Sequence, residues 1–177
     1  MPSRHPGAMV LRDLDARSKR ALARRLPWPY NGMVSDITSA AQACCNYLAA
    51  SGLVCYTEVC GRQLFFGGDR RVANDKCFAK FVKYMGTGDL LALPLSFQGR
   101  NTRFYDVVRN GLVHQYFLKA DRGGVTLTTR DPDGRRLGMF AKPNGELWFA
   151  VVPYFNVFAA ALERARKSGV IAEVWKN

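Results

Sequence analysis

The sequence is poor in the residue types on which many hydrolases and metalloproteins depend. It contains only two histidines, His5 and His114, among 177 residues. It has no Cys-x2-Cys pair, the spacing typical of structural zinc sites. It also lacks a Walker phosphate loop and a Gly-x-Ser-x-Gly nucleophile elbow. We therefore expect no bound metal and no cofactor, and any acid–base chemistry has very few imidazoles to use.

Long apolar runs and export signals are missing as well. A membrane-spanning helix needs about 20 consecutive apolar residues, and the longest candidate, residues 147–162, is interrupted by Pro153 and Asn156. The first residues lack the apolar segment of a signal peptide. The five cysteines are odd in number and irregularly spaced, which indicates free thiols rather than a disulfide framework. These patterns predict a cytoplasmic protein without membrane contact.

Acidic residues are scarce relative to basic ones. The chain has 14 Asp and Glu against 26 Lys and Arg, a net charge of +12, and 18 of the cations are Arg. A guanidinium matches phosphate oxygens with two parallel hydrogen bonds, so this excess favours nucleic acid, and we expect RNA as the partner. The alternative is a solvated basic surface with no partner. The cations expected to contact RNA are Arg17, Arg20, Arg24, Arg103 and Lys119.

Apolar residues are plentiful, at 48%, which is sufficient for one domain with a core. Residues 1–30 are predicted to form a basic N-terminal arm with a helix over 14–26. Residues 31–177 are predicted to form a single α+β domain, with a helical body over about 34–120. An antiparallel β-meander follows over about 124–152, and a C-terminal helix over about 154–168. Within the body, a helix is expected at 35–51, with a buried stripe from Ile37 to Leu48 and with Gly52 as its stop. Further helices are expected at 74–85, stopped by Gly86, and at about 101–118.

Two stretches of the body are harder to interpret. Residues 53–66 fit strands or an irregular connection equally well, and residues 89–99 fit a short helix or a loop.

The residues best suited to chemistry lie in the predicted helix over 101–118. Asn110 and His114 are four residues apart and so share one helix face, and Arg109 has the reach to approach that face. His114 would carry a proton, and Arg109 would stabilise charge on phosphoryl oxygens during attack by an RNA 2′-hydroxyl. One histidine cannot readily act as both base and acid, so a homodimer with two such helices is expected. A helical histidine among apolar neighbours is also typical of a purely structural residue.

The string Arg109-x4-His114-x-Tyr116, with Asn110 directly after the arginine, resembles the motif helix of the HEPN superfamily (higher eukaryotes and prokaryotes nucleotide-binding). The resemblance covers roughly residues 35–120 and not the β-rich stretch after them. It implies a metal-independent endoribonuclease, active as a homodimer, with Arg109, His114 and Asn110 in the site. It also implies a role in toxin–antitoxin or defence systems.

In the family members that pair with a nucleotidyltransferase-type antitoxin, the tyrosine that matches Tyr116 receives AMP, so Tyr116 is a candidate for regulatory modification and such an antitoxin a candidate partner. A core aromatic is the alternative for Tyr116. A second hypothesis for the whole chain is a non-catalytic HEPN-like module that binds RNA or a partner protein. Exposed aromatics such as Trp148 or Tyr154 would then stack on single-stranded RNA.

Overall fold

The described part of the chain has four helices, then five short strands, then a last helix. A computed structural model describes residues 16–88, 91, 96–97, 100–101, 105, 109, 125–128, 139–141 and 147–171. Its helices are α1 (Ala16–Arg25), α2 (Tyr30–Gln42), α3 (Asn46–Phe66), α4 (Asn74–Met85) and α5 (Val151–Lys167). Its strands are β1 (Ser96–Phe97), β2 (Arg100–Asn101), β3 (Val125–Thr128), β4 (Met139–Ala141) and β5 (Leu147–Ala150). The architecture is mainly helical with a minor β component, as predicted.

The core lies between α3 and the helices packed around it. Helix α3 contacts α2, α4 and α5, and α1 packs mainly on α2. Phe81 of α4 meets Phe158 of α5 edge to face, with ring centroids 5.6 Å apart. Burial of each such side chain stabilises the fold by about 1.5–3 kcal/mol. The aromatic residues that are fully buried are Tyr30, Phe78, Phe81, Phe149, Tyr154, Phe155 and Phe158.

Helix α4 confirms the sequence prediction for residues 74–85. Its buried side carries Phe78, Phe81, Val82 and Met85, as the helical spacing indicates. It ends at Gly86, whose backbone adopts a φ of 82° that glycine accepts without strain. Helix α1 likewise falls within the predicted 14–26 range.

The region between residues 35 and 66 differs from the prediction of one helix stopped by Gly52. Helix α2 ends at Gln42, Cys44 adopts a φ of 56°, and α3 then runs through Gly52 to Phe66. Gly52 serves helix packing, because a Cβ there would lie 2.7 Å from Cδ1 of Ile37. The predicted buried stripe is therefore wrong beyond Ala41: Ile37 is buried, whereas Cys44, Cys45 and Leu48 are exposed.

The close approach of α3 and α4 depends on Gly61. A Cβ at this position would lie 1.9 Å from the carbonyl oxygen of Cys77. No side chain fits there, so glycine allows the two helix backbones to touch. This seam sets the distance between the residues of α3 and α4 that flank the candidate site.

The sheet near the C-terminus is not the predicted antiparallel meander. Its strand order is β3–β5–β4, with β3 parallel to β5 (Val125 opposite Leu147) and β4 antiparallel to β5 (Met139 opposite Phe149). Local alternation identifies strands but does not determine the order in which they pair, and a parallel pair requires the chain to cross over. The prediction was thus wrong for the place of β3. It was right for the antiparallel β4–β5 pair.

Helix α5 starts earlier than the predicted residue 154. It begins at Val151, directly after β5. Pro153 lies in the first turn, where the missing N–H has no intrahelical acceptor to lose. A small antiparallel pair, with Ser96 opposite Asn101, also occurs where a short helix or loop was expected.

The predicted arm over residues 1–30 is described only from Ala16. Leu22, Ala23 and Leu26 of this stretch are buried in the common core. The separation of residues 1–30 from the rest of the chain stays a prediction, as do the single domain over 31–177 and its bounds. In the part of the chain that the structure describes, no helix has both the length and the apolar character required to cross a bilayer.

Candidate functional site

The candidate site is centred on Glu58, a carboxylate near the middle of α3. The Tyr105 hydroxyl donates a hydrogen bond to Oε2 of Glu58 at 2.7 Å. The Tyr105 ring packs edge to face against Phe78 of α4, with centroids 5.3 Å apart. Tyr105 therefore lies where α3 and α4 meet, with its hydroxyl directed to the carboxylate and its ring against the core.

Arg109 approaches the same carboxylate oxygen. Its Nε lies 3.8 Å from Oε2 of Glu58, an ion-pair separation. Tyr105 and Arg109 are four residues apart, the spacing of neighbours on one helix face. The Arg109 side chain is 27% exposed and that of Glu58 is 15% exposed. The Arg109 guanidinium is thus paired with the largely buried Glu58 carboxylate, and part of the Arg109 side chain faces solvent.

The Tyr105 hydroxyl and the Cys55 thiol, which lie near Glu58 and Arg109, both have raised pKa values and so keep their protons. Burial raises the pKa of Tyr105, and the hydrogen bond to Glu58 raises it further, so the hydroxyl donates at neutral pH. Burial also raises the pKa of the Cys55 thiol, although the positive charge of Arg109 opposes that effect. A thiol with a raised pKa is a poor nucleophile, so Cys55 is unsuited to covalent catalysis.

A second layer of hydrogen bonds supports Tyr105 from the α3–α4 connection. Arg62 donates to the carbonyl oxygens of Asp69 at 2.6 Å and Val72 at 2.9 Å, and also to the side-chain oxygen of Asn74. The Asn74 side chain lies near the Tyr105 hydroxyl, where it slightly opposes the rise in the Tyr105 pKa. Tyr105 is therefore held from both helices, and through Glu58 so is the position of Arg109.

Of the three residues predicted to carry catalysis, the structure describes Arg109. Asn110 and His114 lie outside the described residues, as do Tyr116 and the predicted RNA contacts Arg103 and Lys119. The meeting of Arg109 with His114 in one groove stays a prediction.

The predicted RNA contacts on α1 have different surroundings. Arg20 donates to the side-chain oxygen of Gln42 at 3.3 Å, which ties it to the end of α2. Arg24 is exposed on the last turn of α1. The Arg17 backbone belongs to α1, and its side chain lies outside the described part.

The aromatics named as stacking residues are not the exposed ones. Tyr154 is fully buried and its hydroxyl lies 2.9 Å from Oγ1 of Thr57, so its prediction as a stacking surface is wrong. Trp148 is half-buried. Among the described residues, the aromatic side chain that stands out in solvent is Trp28, at 70% exposure.

All five cysteines are free thiols, as predicted, with Cys60 and Cys77 buried. Among the residues that the structure describes, no three His, Cys, Asp or Glu side chains converge as a metal site would require.

The sequence analysis missed Glu58 and Tyr105. They are 47 residues apart, and no local pattern joins them. One signal was present: Glu58 and Arg62 are four residues apart, which places an acid and a base on one helix face. That spacing indicates an exposed ionic face on a helix, and residues 53–66 had not been predicted as helical.

No protein-family model, curated protein or solved structure matches the chain.

Proposed function

We propose that the chain is a HEPN-type endoribonuclease that cleaves RNA without a metal, at a site formed by Arg109, His114 and Asn110. The proposal combines the motif resemblance with one structural observation. That observation is the fixed position of Arg109, held beside Glu58 at 3.8 Å and still 27% exposed. A guanidinium that is already oriented loses little entropy when it binds a phosphate.

In the proposed reaction the 2′-oxygen of RNA attacks the adjacent phosphorus, and a new O2′–P bond forms as the P–O5′ bond breaks. A base removes the 2′-hydroxyl proton, and an acid supplies a proton to the leaving 5′-oxygen. His114 takes one of these roles in each protomer. Arg109 stabilises the negative charge that develops on the phosphoryl oxygens, and Asn110 orients the phosphate by hydrogen bonding.

The need for two proton carriers leads to the proposed homodimer, in which a second His114 faces the same cleft. A nucleotidyltransferase-type antitoxin is the proposed regulatory partner, with Tyr116 as the residue it would modify. AMP at Tyr116 would introduce an anion two residues from His114 and block the cleft. A cytoplasmic site of action and a role in toxin–antitoxin or defence systems belong to the same proposal.

The Glu58–Arg109 ion pair also supports a second candidate function. An arginine paired with a largely buried carboxylate can simply join one segment to another. In that case the chain is a non-catalytic module that binds RNA or a partner protein, and Arg109 serves the fold.

RNA cleavage measured with and without a chelator separates the two candidates. The ribonuclease proposal expects cleavage that resists EDTA, produces 2′,3′-cyclic phosphate ends and is lost in His114→Ala. Arg109→Ala should lower the rate by about 10²–10³-fold, the usual effect of removing one transition-state donor. Arg71→Ala, which removes an exposed arginine paired with Asp69 at 2.9 Å, is the matched control and should retain most activity. RNA binding without any cleavage by the unaltered chain would instead assign the binding module.

A further inference from the structure

Three helices end at the same side of the molecule. Nη2 of Arg25, the last residue of α1, lies 3.9 Å from Oε1 of Glu163 in the last turn but one of α5. Arg164 of α5 donates a hydrogen bond of 2.9 Å to the carbonyl oxygen of Tyr84, next to the end of α4. We call the last turns of α1, α4 and α5 the basic end. Its cations are Arg24, Arg25, Lys83, Arg164, Arg166 and Lys167.

Positive charge at the basic end exceeds what the neighbouring acid neutralises. Glu163 contacts Arg25, Arg166 and Lys167 within 4 Å. These contacts lower the pKa of Glu163, chiefly through its hydrogen bonds with Arg166, so the carboxylate is ionised at neutral pH. Among the described residues of the basic end, one negative charge against six cations leaves five positive charges. Five of the six side chains are exposed, Arg166 being half-buried.

Trp28 extends from the same end of the molecule. It lies three residues beyond Arg25, in the connection between α1 and α2. Leu26 and Tyr30 on either side of it are buried, at 4% and 0% exposure, while Trp28 is 70% exposed. The chain thus buries the apolar side chains on both sides of the connection and leaves Trp28 in water, three residues from the last cation of α1.

Cations at helix C-termini have an ordinary explanation, since they interact favourably with the helix dipole. That effect requires no exposed indole. An aromatic face beside several arginines and lysines is the combination that binds single-stranded nucleic acid, with a base stacked on the ring and phosphates on the cations. In a duplex the base faces are already covered by their neighbours, so a single surface indole has nothing to stack on.

We propose that the basic end is a docking surface for single-stranded RNA, with Trp28 stacked on a base and Arg24, Lys83 and Lys167 bound to phosphates. The inference rests on the proposed function only for the choice of RNA as the nucleic acid. It adds a surface that selects unpaired RNA and that is formed by residues other than those of the Arg109 site.

The test measures binding of a labelled single-stranded RNA of about 12 nucleotides, in a His114→Ala background so that no cleavage intervenes. Trp28→Ala should weaken binding about tenfold, and Trp28→Phe should retain most of the affinity, because base–aromatic stacking carries the contact. Lys83→Gln should lower the slope of log Kd against log salt by about 0.7. A duplex of the same sequence should bind more weakly and be insensitive to Trp28→Ala.

Lys76→Gln is the matched control for Lys83→Gln. The two exposed lysines lie seven residues apart, on one face of α4 but at its opposite ends. Equal effects of the two substitutions, or single-strand affinity unchanged in Trp28→Ala with the melting temperature preserved, overturn the inference. Sedimentation with phosphatidylserine vesicles that depends on Trp28, without RNA binding, overturns it as well.

The same variants distinguish this inference from the proposed function. Binding that depends on Trp28, in a chain that never cleaves RNA, upholds the docking surface and refutes the ribonuclease. Cleavage that depends on His114, with binding indifferent to Trp28, does the reverse.

Discussion

Thr57 and Glu58 are adjacent on α3 and both contact a tyrosine, yet the two contacts differ in kind. Thr57 faces the core, where its hydroxyl lies 2.9 Å from the hydroxyl of Tyr154, and both residues are fully buried. Glu58 faces the edge of the helix body, where Tyr105 and Arg109 share one of its carboxylate oxygens. One residue along a helix turns the side chain by about 100°.

The difference shows how one helix supports both fold and site. The inner contact is neutral and sealed from water, so it can contribute only to stability. The outer contact is ionic and its carboxylate is largely buried, so the cost of desolvation offsets much of the attraction, while 27% of the cation remains exposed to a ligand. Substitutions at Thr57 and Glu58 should therefore separate stability from activity.

Loss of the Thr57 hydroxyl, which accepts the hydrogen bond of Tyr154, should produce the largest change in stability. Thr57 donates to the carbonyl oxygen of Leu53 at 2.7 Å, so Tyr154 must donate to Thr57. Thr57→Val leaves the buried Tyr154 hydroxyl without an acceptor, which should lower the free energy of unfolding by about 1–3 kcal/mol. Tyr154→Phe leaves Thr57 bonded to Leu53 and should lower it by about 1 kcal/mol or less. Urea denaturation measures both, and a larger loss in Tyr154→Phe would contradict this assignment of donor and acceptor.

Loss of the Glu58 carboxylate should affect activity more than stability. Glu58→Gln keeps an oxygen for Tyr105 but removes the charge beside Arg109. It should lower the free energy of unfolding by about 1–2 kcal/mol, because Arg109 loses its counter-ion but keeps 27% of its side chain exposed to water. Under the proposed function it should lower RNA cleavage by about 10–100-fold through a misplaced guanidinium.

Asp36→Asn is the control for Glu58→Gln. Asp36 accepts a 2.7 Å hydrogen bond from Tyr56, the same chemistry on an exposed surface, where it helps raise the pKa of Tyr56 to about 12. Equal cleavage by wild type and Glu58→Gln, with cleavage reduced in Asp36→Asn, would remove Glu58 from the site.

The smallest change in stability is expected at low pH from Glu163, which belongs to neither the Thr57 nor the Glu58 contact. The pKa of Glu163 is lowered in the folded chain, first by its hydrogen bonds with Arg166 and also by Arg25 and Lys167. Its contribution to stability is therefore complete above the unfolded pKa and is lost as pH falls through the folded value. Between about pH 6 and pH 3, where carboxylates titrate, wild type should lose slightly more stability than Glu163→Gln. Parallel thermal melts across this range measure it, and identical pH profiles would show that Glu163 contributes nothing.

Sequence reasoning succeeded where a local pattern decides the structure. The spacing of Phe78, Phe81 and Met85 and the stop at Gly86 predicted α4 with its buried face. Strands β3, β4 and β5 were predicted for the same reason, by alternation and turn residues, whereas β1 and β2 were not predicted. The predominantly helical class with a small sheet followed from these patterns.

The failures share a physical cause, because each depends on what a residue meets elsewhere in the chain. Gly52 resembles a helix stop in sequence, but its missing side chain makes room for Ile37 of another helix. The pairing of β3 with β5 is likewise decided by packing, not by either strand alone. In the candidate site, Arg109 was predicted from its motif. Glu58 was not predicted, because only the folded chain brings α3 next to Arg109.

The Arg62 guanidinium gives the turn between α3 and α4 a mechanical role. It ties two carbonyl oxygens of that turn to α3 and engages Asn74, which lies near Tyr105. A displacement of this turn by a bound partner or by proteolytic nicking is therefore expected to shift Asn74 and, next to it, Tyr105. The connection between α3 and α4 is therefore a part of the molecule where a change of conformation would affect the candidate site.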